Sequence, residues 1–176
     1  MSAASPVLTL ANVELVDGTR DENYGSRYAA LSPLLGMSHL GAGYDVIAPG
    51  HRICPFHNHH ANDEFYVILE GSGTYRNAQG NFAVGVGDVI GAPAGGRDTA
   101  HQIINTSDAD LRILVISSMR EPDVCEYPDS DKFAVMVGPQ DARTFRHIGQ
   151  RADAVDYYAG EDGVSSAPTG EIDRSK

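Results

Sequence analysis

Apolar residues fall in short stretches along the chain, separated by glycine, proline and polar turn residues, and few windows carry the ~3.6-residue period of a helix. Alternation within those stretches predicts nine strands, at 27–31, 38–47, 52–59, 64–69, 74–76, 82–84, 88–91, 101–105 and 111–117. The separators have turn chemistry: Ala48, Pro49 and Gly50; Asn77 to Gly80; Gly85, Val86 and Gly87; Thr106, Ser107 and Asp108. Short strands at this rhythm predict an all-β sandwich or barrel. After Ser118 the pattern loosens, apart from an apolar strand at 133–137. From residue 151 on, six acids stand against three bases among Gly, Ser and Pro, the composition of a tail in which Val155, Tyr157 and Tyr158 alone look suited to burial.

At 176 residues the chain is long enough for one self-sufficient core. Its 13 Lys and Arg face 24 Asp and Glu, and a net charge of -11 repels nucleic acid and anionic lipid. Apolar runs such as 65–69 and 113–116 fall far short of the ~20 residues of a membrane span. The first residues lack a basic region followed by an apolar one, so a secretory signal is not expected and the cytoplasm is. Cys54 and Cys125 lie outside any CxxC pattern and read as reduced thiols, with Cys54 on the face opposite His57 as a small packing residue. Neither GxGxxG nor GxxxxGK[ST] occurs, and no nucleotide cofactor is expected.

Chemistry concentrates at 51–60, where four of the seven histidines fall, His51, His57, His59 and His60. On a strand, His57 and His59 share a face, so their imidazoles converge while His60 points outward. The turn from His60 to Asp63 returns the chain so that Glu64 opens the next strand beside them. His101, at the start of a later strand, adds a third nitrogen. Three neutral imidazoles and a carboxylate suit divalent Mn, Fe, Co, Ni or Zn. Four protein donors on a metal preferring about six leave two positions for water, a bidentate ligand or dioxygen. Tyr66 shares the parity of Glu64 and is a candidate catalytic hydroxyl in the same cavity. Asp88 reads as a turn residue and Asn105 as a partner for backbone groups at a strand end.

The order Gly50, His57, Asn58, His59, Glu64, Gly71, then Gly87, Pro93, Ala94, Gly95, His101, Asn105 closely resembles the two signature motifs of the cupin superfamily. The resemblance covers 37–118. It implies a double-stranded β-barrel, or jelly roll, holding one divalent metal through His57, His59, Glu64 and His101. Residues 1–36 are then an N-terminal arm with the first strands, 37–118 the barrel core, and 119–176 a C-terminal extension with an acidic tail. The five residues between Gly95 and His101 exceed the family's usual spacing. Such an insertion is expected to bulge at the cavity mouth, where Arg97 would meet an anionic or oxygen-rich ligand.

Segments after the barrel resemble those of bacterial single-domain cupins, some of them labelled sugar-phosphate isomerases. The expected partner is a small polar, oxygen-rich metabolite, bound or turned over in an isomerase-type reaction. An Fe(II) dioxygenase and a non-catalytic sensing or binding module are the alternatives. Arg52, Arg76 and Arg97 are the nearby cations that a phosphorylated sugar would need. The apolar run at 133–137, read as a strand seeking a sheet edge, predicts a homodimer.

Overall fold

A computed structural model describes residues 6–139 and 142–161. Its strands are Val16–Asp17 (β1), Arg27–Ala30 (β2), Leu40–Ile47 (β3), Asn58–His59 (β4), Glu64–Glu70 (β5), Ser72–Asn77 (β6) and Gly80–Gly85 (β7). They continue with Val89–Ala92 (β8), His101–Ile104 (β9), Leu111–Ser118 (β10), Asp123–Tyr127 (β11), Lys132–Val137 (β12) and Phe145–Gln150 (β13). A single turn of helix, Leu31–Leu34 (α1), follows β2. One sheet runs β1-β2-β3-β10-β5-β8. The other side comprises β13-β12-β11-β4 and β7-β6-β9, joined by an antiparallel bridge between His57 and His101. Pairing within the named strands is antiparallel. The result is an all-β jelly roll, in keeping with the barrel or sandwich that the alternation predicts and the fold that the family resemblance implies.

Alternating residues of β5 and β10 explain the two layers of core. Tyr66, Ile68, Leu111 and Ile113 point between the sheets and pack with Ile47, Tyr75, Val84, Ile90 and Ile103. Their neighbours Leu69 and Leu114 face the other way, onto a second cluster around Tyr44 and Val46 that Leu8, Leu10, Val13 and Leu15 of the N-terminal arm cover. Gly71 turns β5 into β6 with φ +80°, and a Cβ there would meet the Asp110 carbonyl at 2.4 Å, so no other residue fits without displacement.

Several expectations change in the folded chain. The strand predicted at 52–59 shrinks to Asn58–His59, with Arg52 making only isolated bridges to Tyr24 and Ile104. Pro55 has no N–H to offer a ladder, and this interrupts the extended pairing. β11 and β13 form where the sequence pattern loosens. They flank β12 on both sides, so the apolar run at 133–137 finds its partners inside its own chain and the open margin of that sheet is β13. Val155, Tyr157 and Tyr158 are exposed rather than buried, with Tyr157 87% accessible. Of the acidic tail expected from 151, residues 162–176 lie outside the described residues. No helix among the described residues is long and apolar enough to cross a membrane.

Candidate metal centre

His57 and His101 exchange backbone hydrogen bonds, His57 N–H to the His101 carbonyl at 3.1 Å and His101 N–H to the His57 carbonyl at 2.7 Å. That reciprocal pair holds two separate segments in register and brings the two rings to 4.8 Å between centroids. His59 follows at the parity of His57, and its Nε2 lies 3.1 Å from His57 Nε2. Glu64, first residue of β5, sends Oε2 to 2.8 Å from His101 Nε2, 3.7 Å from His57 Nε2 and 3.8 Å from His59 Nε2. The structure thus gathers His57, His59, Glu64 and His101, residues that the spacing had singled out. His57, His59 and Glu64 alone already satisfy the mutual distances of a metal-holding group.

The outward nitrogens decide what the inward ones can do. His57 Nδ1 lies 3.0 Å from the Pro55 carbonyl, His101 Nδ1 3.2 Å from the Thr99 carbonyl, and His59 Nδ1 2.6 Å from Asp123 Oδ2. Carbonyls and carboxylates only accept, so His57 and His59 each donate Nδ1–H outward and turn an Nε2 lone pair inward, whereas His101 Nε2, 2.8 Å from Glu64 Oε2, donates to that carboxylate while no cation is bound. Two lone pairs 3.1 Å apart, on His57 and His59, repel unless a cation stands between them. Without a metal that cation is a proton. It resides on His59, whose pKa rises to about 10: burial opposes the charge, but the hydrogen bonds to Asp123 and Cys125 and the charge of Glu64 outweigh it. With a metal, the same lone pairs are ligands, and the three-nitrogen, one-carboxylate donor set fits a divalent transition ion.

Glu64 is an anion in this setting. Burial works against its charge, yet the His101 hydrogen bond and the surrounding histidines hold its pKa down to about 2. Tyr66 Oη donates to Glu64 Oε2 at 2.7 Å and sits 3.0 Å from His101 Nε2. Burial and the Glu64 charge push its phenol well above the ordinary tyrosine range, so it keeps its proton. Tyr75, on β6, stacks on His101 with 6.2 Å between centroids.

Cys54 departs from its expected place. Its Sγ lies 3.6 Å from His57 Nδ1, because the break at Pro55 cancels the parity that would have turned it to the other face. Burial, with the charges of Glu64 and Asp45, raises the Cys54 thiol far above its usual range. His60 points outward, half exposed and 3.7 Å from Glu126. Asp88 closes its turn by accepting from Gly85 N–H, and Asn105 donates to the Ile47 and Ala109 carbonyls. The 95–100 insertion forms a 3-10 turn whose Arg97 is engaged by Asp131 at 2.8 Å and by the Pro128 carbonyl at 3.2 Å. Arg76 is likewise held by both oxygens of Asp129, and Arg52 lies over the Tyr24 ring.

Residues that the sequence reading missed come from β11. Asp123 and Cys125 both reach His59 Nδ1, Cys125 Sγ at 3.2 Å, and Tyr127 stacks on His57 with 6.3 Å between centroids. The signal was present in the alternation Asp123, Cys125, Tyr127 against Val124, Glu126, which places the first three on one face of a strand.

A jelly roll with inward imidazoles and a carboxylate clustered at one point defines the class: a small double-stranded β-barrel built around a candidate metal site. The sequence model of the family described as Cupin domain matches residues 43–117. Auxin-binding protein 1 of Arabidopsis thaliana is 32% identical over 143 residues, 73% of this chain and 70% of that protein. The chain belongs to the cupin superfamily. Among solved structures, it resembles a protein carrying a sugar phosphate isomerase label from Acidithiobacillus ferrooxidans, with TM-score 0.73, 23% identity, and coverage of 85% of this chain and 95% of that one. A cupin-superfamily protein of the same label from Silicibacter pomeroyi gives TM-score 0.72 and 23% identity over 85% and 95% of the two chains.

Proposed function

We propose that His57, His59, Glu64 and His101 hold one divalent transition metal, of the set Mn, Fe, Co, Ni and Zn, and that the site binds a small polar, oxygen-rich metabolite. The observation that carries this reading is the common orientation of the histidines, with every Nδ1 facing an outward acceptor and every Nε2 within 3.8 Å of Glu64 Oε2. When bound, such a metal supplies Lewis-acid polarisation of a ligand oxygen. Tyr66 holds a phenolic proton against Glu64 and is the candidate proton donor for an isomerase-type step. The isomerase labels of the two structural relatives agree with that reaction class.

A phosphorylated substrate is disfavoured. It would bring a dianion to a chain of net charge -11, and Arg52, Arg76 and Arg97 are engaged by Tyr24, Asp129 and Asp131. A neutral or weakly charged polyoxygenated ligand fits better. A second reading, non-catalytic binding of a small ligand at the same metal, draws on the relative whose name states auxin binding. In either reading the barrel core is 37–118, the arm and extension flank it, and the protein works in the cytoplasm. A homodimer remains part of the proposal and now rests on the open margin at β13; light scattering at 18.8 kDa over a wide concentration range would reject it.

The test is elemental analysis of protein purified without chelators. Stoichiometric manganese, nickel, cobalt or zinc is expected in wild type and in His60→Ala, and loss of metal in His57→Ala and His59→Ala. Retention by both of the latter would sink the assignment. Stoichiometric iron with ligand-dependent oxygen consumption would transfer the function to an Fe(II) dioxygenase. Arg97→Ala then asks whether the insertion contacts ligand: weaker ligand binding with unchanged metal content supports that role, and unchanged affinity removes it.

A further inference from the structure

The histidines of the cluster are oriented in two ways. His57 and His101 each turn Nδ1 to the carbonyl two positions earlier in their own segment, Pro55 and Thr99. The local backbone that places those rings also supplies the outward acceptor of each. His59 is oriented from elsewhere. Its Nδ1–H goes to Asp123, 64 positions later on β11 and past residue 117, where the match to the cupin family ends.

Asp123 is itself firmly placed. It is 5% exposed, and its second oxygen accepts from the Ala61 backbone N–H at 3.1 Å. β11 pairs with β4 in the register Cys125 to His59 and Glu126 to Asn58, which puts Asp123 on the same face, diagonal to His59. A slip of one residue would turn that face away from the site. Cys125 reaches the same nitrogen at 3.2 Å, but a thiol is a weak acceptor beside a carboxylate at 2.6 Å.

We propose that Asp123 is a positioning residue of this centre: by accepting the His59 Nδ1 proton it fixes His59 Nε2 as the inward donor, so the C-terminal extension completes a site that the barrel core alone leaves unfinished. The inference rests on the metal-binding reading above. Its chemistry is directional. An aspartate can only accept, whereas an asparagine amide can present N–H to His59 Nδ1 and drive the imidazole proton onto Nε2, the atom that must bind the metal.

The experiment measures zinc(II) affinity by competition with a chromophoric chelator, in wild type, Asp123→Asn and Cys125→Ala. Nitrogen NMR of the imidazoles reads the His59 tautomer in the zinc-loaded proteins. Asp123→Asn should weaken zinc about 10- to 100-fold and perturb the His59 signals, while Cys125→Ala leaves both unchanged. Wild-type affinity in Asp123→Asn, with His59 still protonated at Nδ1, would overturn the role of Asp123 and leave the metal reading intact. An equal loss in Cys125→Ala would also overturn it, since the effect would belong to β11 packing. If wild type itself takes up no zinc or other divalent ion, the metal reading falls and this inference falls with it. Should Asp123→Asn fail to fold, Asp123→Glu carries the test: the displaced carboxylate is expected to weaken zinc with the Nδ1-protonated tautomer retained, and undiminished affinity there overturns the proposal.

Discussion

Inside the barrel, Ile47, Leu111 and Ile113 are wholly removed from solvent, whereas on the C-terminal strand β13 Phe145 and Ile148 are 52% and 44% exposed. The barrel wall is held by burial. The extension is tied down by surface ion pairs, Arg76 with Asp129 and Arg97 with Asp131, and by the β4–β11 register. Exposed pairs of this kind contribute ~0–1 kcal/mol each, against ~1.5–3 kcal/mol for a buried aliphatic side chain. Yet the weaker region supplies the carboxylate that orients a site histidine. A site can therefore draw on a region of low local stability, provided that the one residue it needs sits on the strand nearest the barrel.

The largest expected effect separates the two regions by stability. Ile113→Ala should cost about 2–5 kcal/mol in urea unfolding, and Ile148→Ala on β13 about 0.5 kcal/mol or less. A cost for Ile148→Ala as large as that for Ile113→Ala would break the contrast. Next, zinc at about a hundred times its Kd should stabilise wild type by about 2.7 kcal/mol and leave His57→Ala unmoved. Amide exchange recorded in the same titration should slow at β4 and β11 but hardly at β13; uniform slowing would mean that the extension moves as one body with the barrel.

A smaller effect is expected at the tether. Arg76 is half-buried but its partner Asp129 is exposed, so Arg76→Ala should cost about 1 kcal/mol or less, even with its stacking on Phe56. A double-mutant cycle with Asp129→Ala measures the pair itself. The last prediction has a sign rather than a size. Asp45, on the barrel-facing parity of β3 with Ile47, accepts from Ser26 Oγ at 2.6 Å. Burial raises its carboxyl above the ordinary range, with the Ser26 bond working the other way. The native state thus holds that proton more tightly than the unfolded chain. Stability is lost as pH rises past the unfolded value near ~3.9, and the loss is complete above the native value. Asp45→Asn should be the more stable protein at neutral pH, with the advantage vanishing in acid; equal stability at neutral pH would refute the assignment.

Much of the barrel was legible because its information is local. Period-two alternation in β5 and β10 marks which side chains meet between the sheets, and the turn glycines and prolines mark where strands end. Strand parity also anticipates that Tyr66 faces Glu64. The extension was harder to read. β13 is exposed along nearly its whole length, so no burial pattern distinguishes it, and β11 mixes Asp, Cys, Glu and Tyr where a core strand would alternate apolar residues. The reading of Cys54 failed for a further reason: parity arguments assume a regular strand, and Pro55 removes it.

By itself the sequence determined the strand rhythm, the spacing that brings His57, His59 and Glu64 to one point, and the acidic charge that disfavours nucleic acid. These follow from covalent spacing and composition, which no distant contact alters. Only the tertiary structure decided that Asp123 orients His59, that Asp131 engages Arg97, and that Tyr157 stays in solvent. Each depends on how strands far apart in the chain are registered and on which surfaces remain uncovered. A hydrogen bond of 2.6 Å across 64 positions is set by the pairing of β4 with β11.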